Sequence, residues 1–167
     1  MTCFEARNVS IADVPASRSA IWEVLRSPEL LAQMTPLIDA ITVDGDHWCW
    51  KLGGISALGV EVAPSFTERM TFTPETEIRF EHDPASDAER AGANGFYTLA
   101  DNPDGSTHLE IDITLHVDLP LPKLSSRAVE RVMRTSMEKT GDAFARRLYT
   151  HLGLDPKSAK QQTVHPS

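Results

Sequence analysis

Residues 9–36, VSIADVPASRSAIWEVLRSPELLAQMTP, decide the fold. Val9 and Ile11 alternate with polar residues in a short strand-like run that ends at Pro15. Ile21, Trp22 and Leu25 then recur at helical spacing, and Ser27-Pro28-Glu29 opens a second helix that stops before Pro36. The punctuation has a physical basis. Pro28 has no N–H to lose in a first turn, Ser27 can accept from a free amide, and Glu29 suits the positive end of the helix. One strand followed by two short helices, ahead of a purely strand-like region, is an order that few architectures share.

Beyond Pro36 the period changes to two. Leu37 to Val43 reads as a strand, Asp44-Gly45 as a two-residue turn, and His47 to Leu52 as the partner strand. That turn pairs Val43 with Asp46, Ile41 with Trp48 and Leu37 with Leu52, and sets Asp39 opposite Trp50. Gly53 to Gly59 reads as a flexible loop. Val60 to Thr73 is a strand with Phe66, Met70 and Phe72 on one face, and Ile78 to His82 is the next. A three-residue loop at Pro74-Glu75-Thr76 pairs Phe72 with Ile78, Met70 with Phe80 and Glu68 with His82.

The stretch DPASDAERAGAN (83–94) reads as an exposed loop and Gly95 to Ala100 as a strand. A type I turn at Asn102-Pro103-Asp104-Gly105 then pairs Leu99 with Leu109 and Tyr97 with Ile111. From His108 to Asp118, Leu109, Ile111, Ile113, Leu115 and Val117 face one side; Glu110, Asp112, Thr114 and His116 face the other. Pro120 and Pro122 end the sheet. Leu124 to Leu152 reads as one amphipathic helix, roughly 40 Å long at ~1.5 Å per residue. Val129, Met133, Met137, Thr140, Phe144 and Leu148 share a face of it. Gly141 inside this helix points to a close approach or a bend.

The chain has 167 residues with 41% hydrophobic and 24% charged content, which suits one domain with a real core. A net charge of −8 argues against nucleic acid, whose phosphates require clustered Lys and Arg. No apolar run is long enough to cross a bilayer and no export signal precedes the first strand, so a cytoplasmic protein without integral membrane contact is expected. Cys3 and Cys49 form neither a metal-ligand spacing nor a disulfide framework. His108, His116 and Glu110 alternate along one strand without converging, so no metal site is expected, and no nucleotide or cofactor fingerprint is present.

Ile11, Pro15, Ile21-Trp22, Leu25, Pro28, Leu30 and Pro36, followed by the Gly53–Gly59 loop and the C-terminal amphipathic helix, resemble the START-like superfamily. That group includes polyketide cyclases, coenzyme Q-binding proteins and plant pathogenesis-related proteins. The resemblance covers about Phe4 to Leu152. It implies an α+β helix-grip fold: a seven-stranded curved antiparallel sheet, two short helices after the first strand, and a long C-terminal helix over the concave face. Residues 1–153 would form the ligand-binding domain and residues 154–167 a disordered polar tail. The Trp-Trp pair of the chaperone-activator branch is absent near Met34-Thr35.

Such proteins enclose a hydrophobic small molecule between sheet and helix. The residues expected to contact it here are Trp48, Trp50, Phe66, Glu68, Met70, Phe80, His82, Tyr97, Leu99, Ile111, Ile113, Met133, Met137, Thr140 and Phe144. Carriage or sensing of a lipid, quinone, polyketide or other aromatic is the first expectation. The alternative is a cyclase or dehydratase with His82 as base, Glu68 orienting it and Tyr97 polarising a carbonyl. A third is a protein-interaction module using the acidic surface. Nothing in the pattern fixes an oligomeric state.

Overall fold

The computed structural model describes residues 1–164. Strand β1 (Thr2–Val14) leads into helices α1 (Arg18–Leu25) and α2 (Pro28–Met34). The Ser27 cap forms as expected, Ser27 Oγ accepting from Leu30 N at 3.3 Å, and Ser17 Oγ caps the first helix by accepting from Ala20 N at 3.2 Å. Trp22 is buried and meets Phe72 edge-on at 6.3 Å between ring centroids, which pins α1 to the sheet.

Eight strands follow: β2 (Ile38–Asp44), β3 (His47–Leu52), β4 (Ile55–Ala57), β5 (Val60–Val62), β6 (Ser65–Thr73), β7 (Glu77–His82), β8 (Ala91–Asp101) and β9 (Thr107–Leu119). Helix α3 (Ser126–His151) and a short strand β10 (Gln162–Val164) complete the described chain. The main sheet is antiparallel in the order β10-β1-β9-β8-β7-β6-β3-β2, and β4 and β5 form a separate hairpin. This is the expected α+β helix grip with one more strand in the sheet than expected, because β10 adds to the free edge of β1.

Two registers match their turn chemistry. Glu68 pairs with His82 and Met70 with Phe80 across a loop in which Glu75 itself adopts φ 57°. Tyr97 pairs with Ile111 across a turn that places Gly105 at φ 86°. The first hairpin differs by two residues: Asp44 pairs with His47, Val43 with Trp48 and Ile41 with Trp50. The reason is local. Gly45, at φ 62°, is the first of the two central turn residues, with Asp46 the second. An irregularity between Ile38 and Ala40 then sets Ile38 opposite Leu52 and leaves Asp39 exposed, away from Trp50.

Three further expectations change. The Gly53–Gly59 loop contains β4 and hairpins into β5. Strand β8 begins at Ala91, so the loop after β7 is shorter than residues 83–94. The segment expected to be a disordered tail instead carries a 3₁₀ turn at Pro156–Ser158 and β10, with Val9 opposite Val164 and Ile11 opposite Gln162; its residues 165–167 lie outside the described residues. Among the described residues no helix is long and apolar enough to cross a membrane.

Candidate functional site

Between the inner face of the sheet and α3 lies a cavity of about 180 Å³. For scale, an engineered apolar cavity of roughly 150 Å³ binds benzene. Its wall is built by period-two alternation on the strands and by one face of α3. Strands β3, β6, β7, β8 and β9 contribute Trp50, Phe66, Glu68, Phe80, Tyr97, Ile111 and Ile113, and α3 contributes Met137, Thr140 and Phe144. All of these were expected from the sequence.

Five expected residues lie elsewhere. Trp48 packs in the core against Trp50 and Phe72, at 6.1 and 5.7 Å between ring centroids. Met70 and Leu99 are buried in the same core. Met133 lines a separate cavity of about 30 Å³ beneath the β4–β5 hairpin, one helical turn from the main site. The fifth is His82.

His82 is not in the cavity wall, and the His82–Glu68 arrangement expected of a general base does not form. The ladder between β7 and β8 ends at Phe80 opposite Gly95. Beyond it, His82 N donates to the Asn94 side chain at 2.9 Å, and the imidazole turns to the outer face. There it lies over Gly92 and against His116, with ring centroids 4.9 Å apart. A Cβ at position 92 would collide with both imidazoles, so glycine is what leaves room for this turn.

The outer face holds its own polar cluster. Glu89, from the loop after β7, accepts from Thr67 N at 2.9 Å, Thr67 Oγ1 at 2.7 Å and Ala85 N at 3.2 Å, and meets His82 Nε2 at 3.2 Å. Burial raises the Glu89 carboxyl, but these hydrogen bonds together hold it below its ordinary value. Burial, followed by the neighbouring His82, lowers His116. Arg7 grips the buried Asp112 through two hydrogen bonds at 3.0 and 2.7 Å. No group of three or more potential ligands is placed to hold a metal among the described residues.

Inside the cavity, Glu68 and Tyr97 come together as the register implies. Glu68 is 2% exposed, and burial holds its carboxyl well above the usual carboxylate range. The nearby Trp50 indole opposes that rise without the geometry of a hydrogen bond: Trp50 Nε1 and Glu68 Oε2 are both buried and without a partner among the described residues. Burial, and then the proximity of Glu68, raises the Tyr97 phenol. Both shifts favour the protonated, uncharged form of each acid.

Sequence reasoning missed the polar side of the cavity. Asn8 and Ser10 of β1 line it, opposite Ile113 and Ile111 in the ladder. Counting by twos from the buried Phe4 and Ala6 reaches both, whereas Val9 and Ile11 drew attention to the other face. Gln161, just before β10, also lines the cavity; its side chain donates to Asp142 at 2.7 Å and sits over Gly141. No periodic signal marks it.

No family model and no curated protein matches the sequence. Solved structures do resemble it. A conserved protein from Geobacillus kaustophilus superposes with TM-score 0.68 at 14% identity, covering 93% of this chain and 99% of that one. A START superfamily protein from Mycobacterium smegmatis gives 0.61 at 16% identity, covering 86% and 99%. The fold is START-like. An aromatase/cyclase from Streptomyces sp. R1128 shares this START-like helix grip, with TM-score 0.62, 13% identity and coverage of 90% and 96%.

Proposed function

We propose that the protein encloses a hydrophobic small molecule of lipid, quinone, polyketide or other aromatic type between its sheet and α3, as a carrier or sensor. The observation that carries this reading is the cavity of about 180 Å³, apolar over most of its wall, with a few polar groups at fixed points. A chain selected for stability alone would fill such a space, since even a methyl-sized void costs ~1 kcal/mol. The shared fold with an aromatase/cyclase supports an aromatic-type ligand.

Native mass spectrometry on protein purified without denaturation tests it. The expected result is an adduct that is lost on unfolding, or, for ligand-free protein, binding of lipids, quinones or aromatics that Ala93→Phe blocks by filling the cavity wall. Absence of any adduct and of any binding across such a panel removes the proposal.

A cyclisation or dehydration reading draws support from Glu68 and Tyr97 sharing the wall as proton donors. With His82 outside, no imidazole base lines the cavity among the described residues, so carriage is the better supported reading. Turnover of a polyketide-like substrate that Glu68→Gln abolishes, with affinity kept within a few-fold, would reverse that order.

A further inference from the structure

The cavity is asymmetric in charge as well as in polarity. Among the described residues that line it there is no Lys, Arg or His, and Glu68 is the single carboxyl group. Beside Glu68 stands an indole N–H that can only donate, and neither Trp50 Nε1 nor Glu68 Oε2 has a hydrogen-bond partner among the described residues. Both lie in an apolar wall, with Phe66, Phe80 and Tyr97 around them. Buried polar atoms are nearly always satisfied, so this pair is waiting for a partner.

We infer that the cavity takes an uncharged ligand bearing a hydrogen-bond acceptor, such as a ketone or quinone oxygen, received by Trp50 Nε1–H and by Glu68 acting as a carboxylic acid donor. This rests on the cavity being a ligand site and specifies what enters it. A carboxylate or phosphate placed there would be buried with no cation to balance it, which costs far more than a hydrogen bond returns. An ammonium group would face the indole N–H and would require Glu68 to ionise, so both charges would lose their water. A hydrocarbon of the same shape would leave both polar atoms unpartnered. A carbonyl oxygen has two lone pairs and matches the two donors.

Four ring compounds of nearly equal size separate these cases: ethylbenzene, acetophenone, 1-phenylethylammonium and benzoate, titrated by NMR into ligand-free protein. Acetophenone is expected to bind about three- to tenfold tighter than ethylbenzene, the usual return for one or two net hydrogen bonds. Benzoate and the ammonium are expected to bind more weakly than either. Glu68→Gln retains a donor and keeps the preference. Glu68→Leu reduces it, and Glu68→Leu combined with Trp50→Phe abolishes it.

The wild-type comparison needs no variant, so a poorly folding mutant does not block the test. If ethylbenzene binds and acetophenone binds no tighter, this inference fails while the cavity reading stands. Tighter binding of the ammonium overturns it in favour of an ion pair with Glu68. If none of the four binds, both readings fall.

Discussion

Glu68 and Trp50 stand on neighbouring strands of the cavity wall, each with a buried polar atom that has no hydrogen-bond partner among the described residues. A carboxyl group held this way weighs against folding, and the cost depends on pH. Its native pKa lies above the ordinary 4.5, so above that pH the unfolded chain releases a proton that the native state keeps. The unfolded state then binds fewer protons, and stability falls as pH rises until the native carboxyl ionises as well. Denaturant unfolding at pH 5, 6, 7 and 8 is expected to show Glu68→Gln gaining on the wild type as pH rises above 4.5, until the native carboxyl ionises. Glu68→Leu is expected to be more stable at pH 7 by about 1–3 kcal/mol, since it removes an unpartnered polar group. A difference that does not change with pH would contradict the buried, neutral acid.

The outer face predicts the opposite dependence. Glu89 ties its loop to β6 through both Thr67 hydrogen bonds and sits below its ordinary pKa of 4.5. Its contribution is present above pH 4.5 and is lost as pH falls through the lower native value. Glu89→Ala is expected to cost about 1–3 kcal/mol at pH 7 by leaving the Thr67 groups unsatisfied. Amide hydrogen exchange at Thr67 and Ala85 should accelerate in that variant. Unchanged exchange would mean that the loop is held by something else.

Gly92 and Gly95 both lie on β8, and a methyl group would collide at each for different reasons. At position 92 it meets the imidazoles of His82 and His116; at position 95 it meets the backbone carbonyl of Asp112. Side chains can move and a ladder carbonyl cannot. Gly92→Ala is therefore expected to cost about 1–3 kcal/mol, with His116→Ala recovering part of it in the double mutant, since the His82 ring remains. Gly95→Ala is expected to cost more, and no side-chain truncation should rescue it. Thermal melts of the five variants, including the two double mutants with His116→Ala, check both statements.

How far the sequence speaks for the site follows from these same residues. Turn chemistry at Pro74–Thr76 and Asn102–Gly105 sets registers that carry Glu68 and Tyr97 to the inner face, because a side-chain period of two leaves no freedom once the turn is known. That logic fails where a ladder stops. His82 lies two residues beyond the last residue of β7 paired with β8, and a missing Cβ ten residues further on, at Gly92, decides where its ring goes. Asn8 and Ser10 escaped because hydrophobicity marks a core face, and a ligand cavity can be polar on one side. Strand β10 is three residues long, too short to show any period.

Gly141 faces the cavity from the middle of α3, and the nearest atom to an added Cβ would be Gln161 Nε2 at 3.2 Å. That atom is the end of a flexible side chain, so it can move aside at small cost. Alanine is favoured over glycine in a helix interior by up to ~1 kcal/mol, so Gly141→Ala is expected to stabilise the protein by somewhat less than that. Displacing Gln161 also loosens its hydrogen bond to Asp142 and the cover it places over the cavity beside β10. Ligand exchange should then speed up even as the melting temperature rises. Gln161→Ala alone should speed exchange without the gain in stability, and its combination with Gly141→Ala should add nothing further to the rate. If Gly141→Ala leaves exchange unchanged, Gln161 does not control access, and the route into the cavity lies elsewhere on its rim.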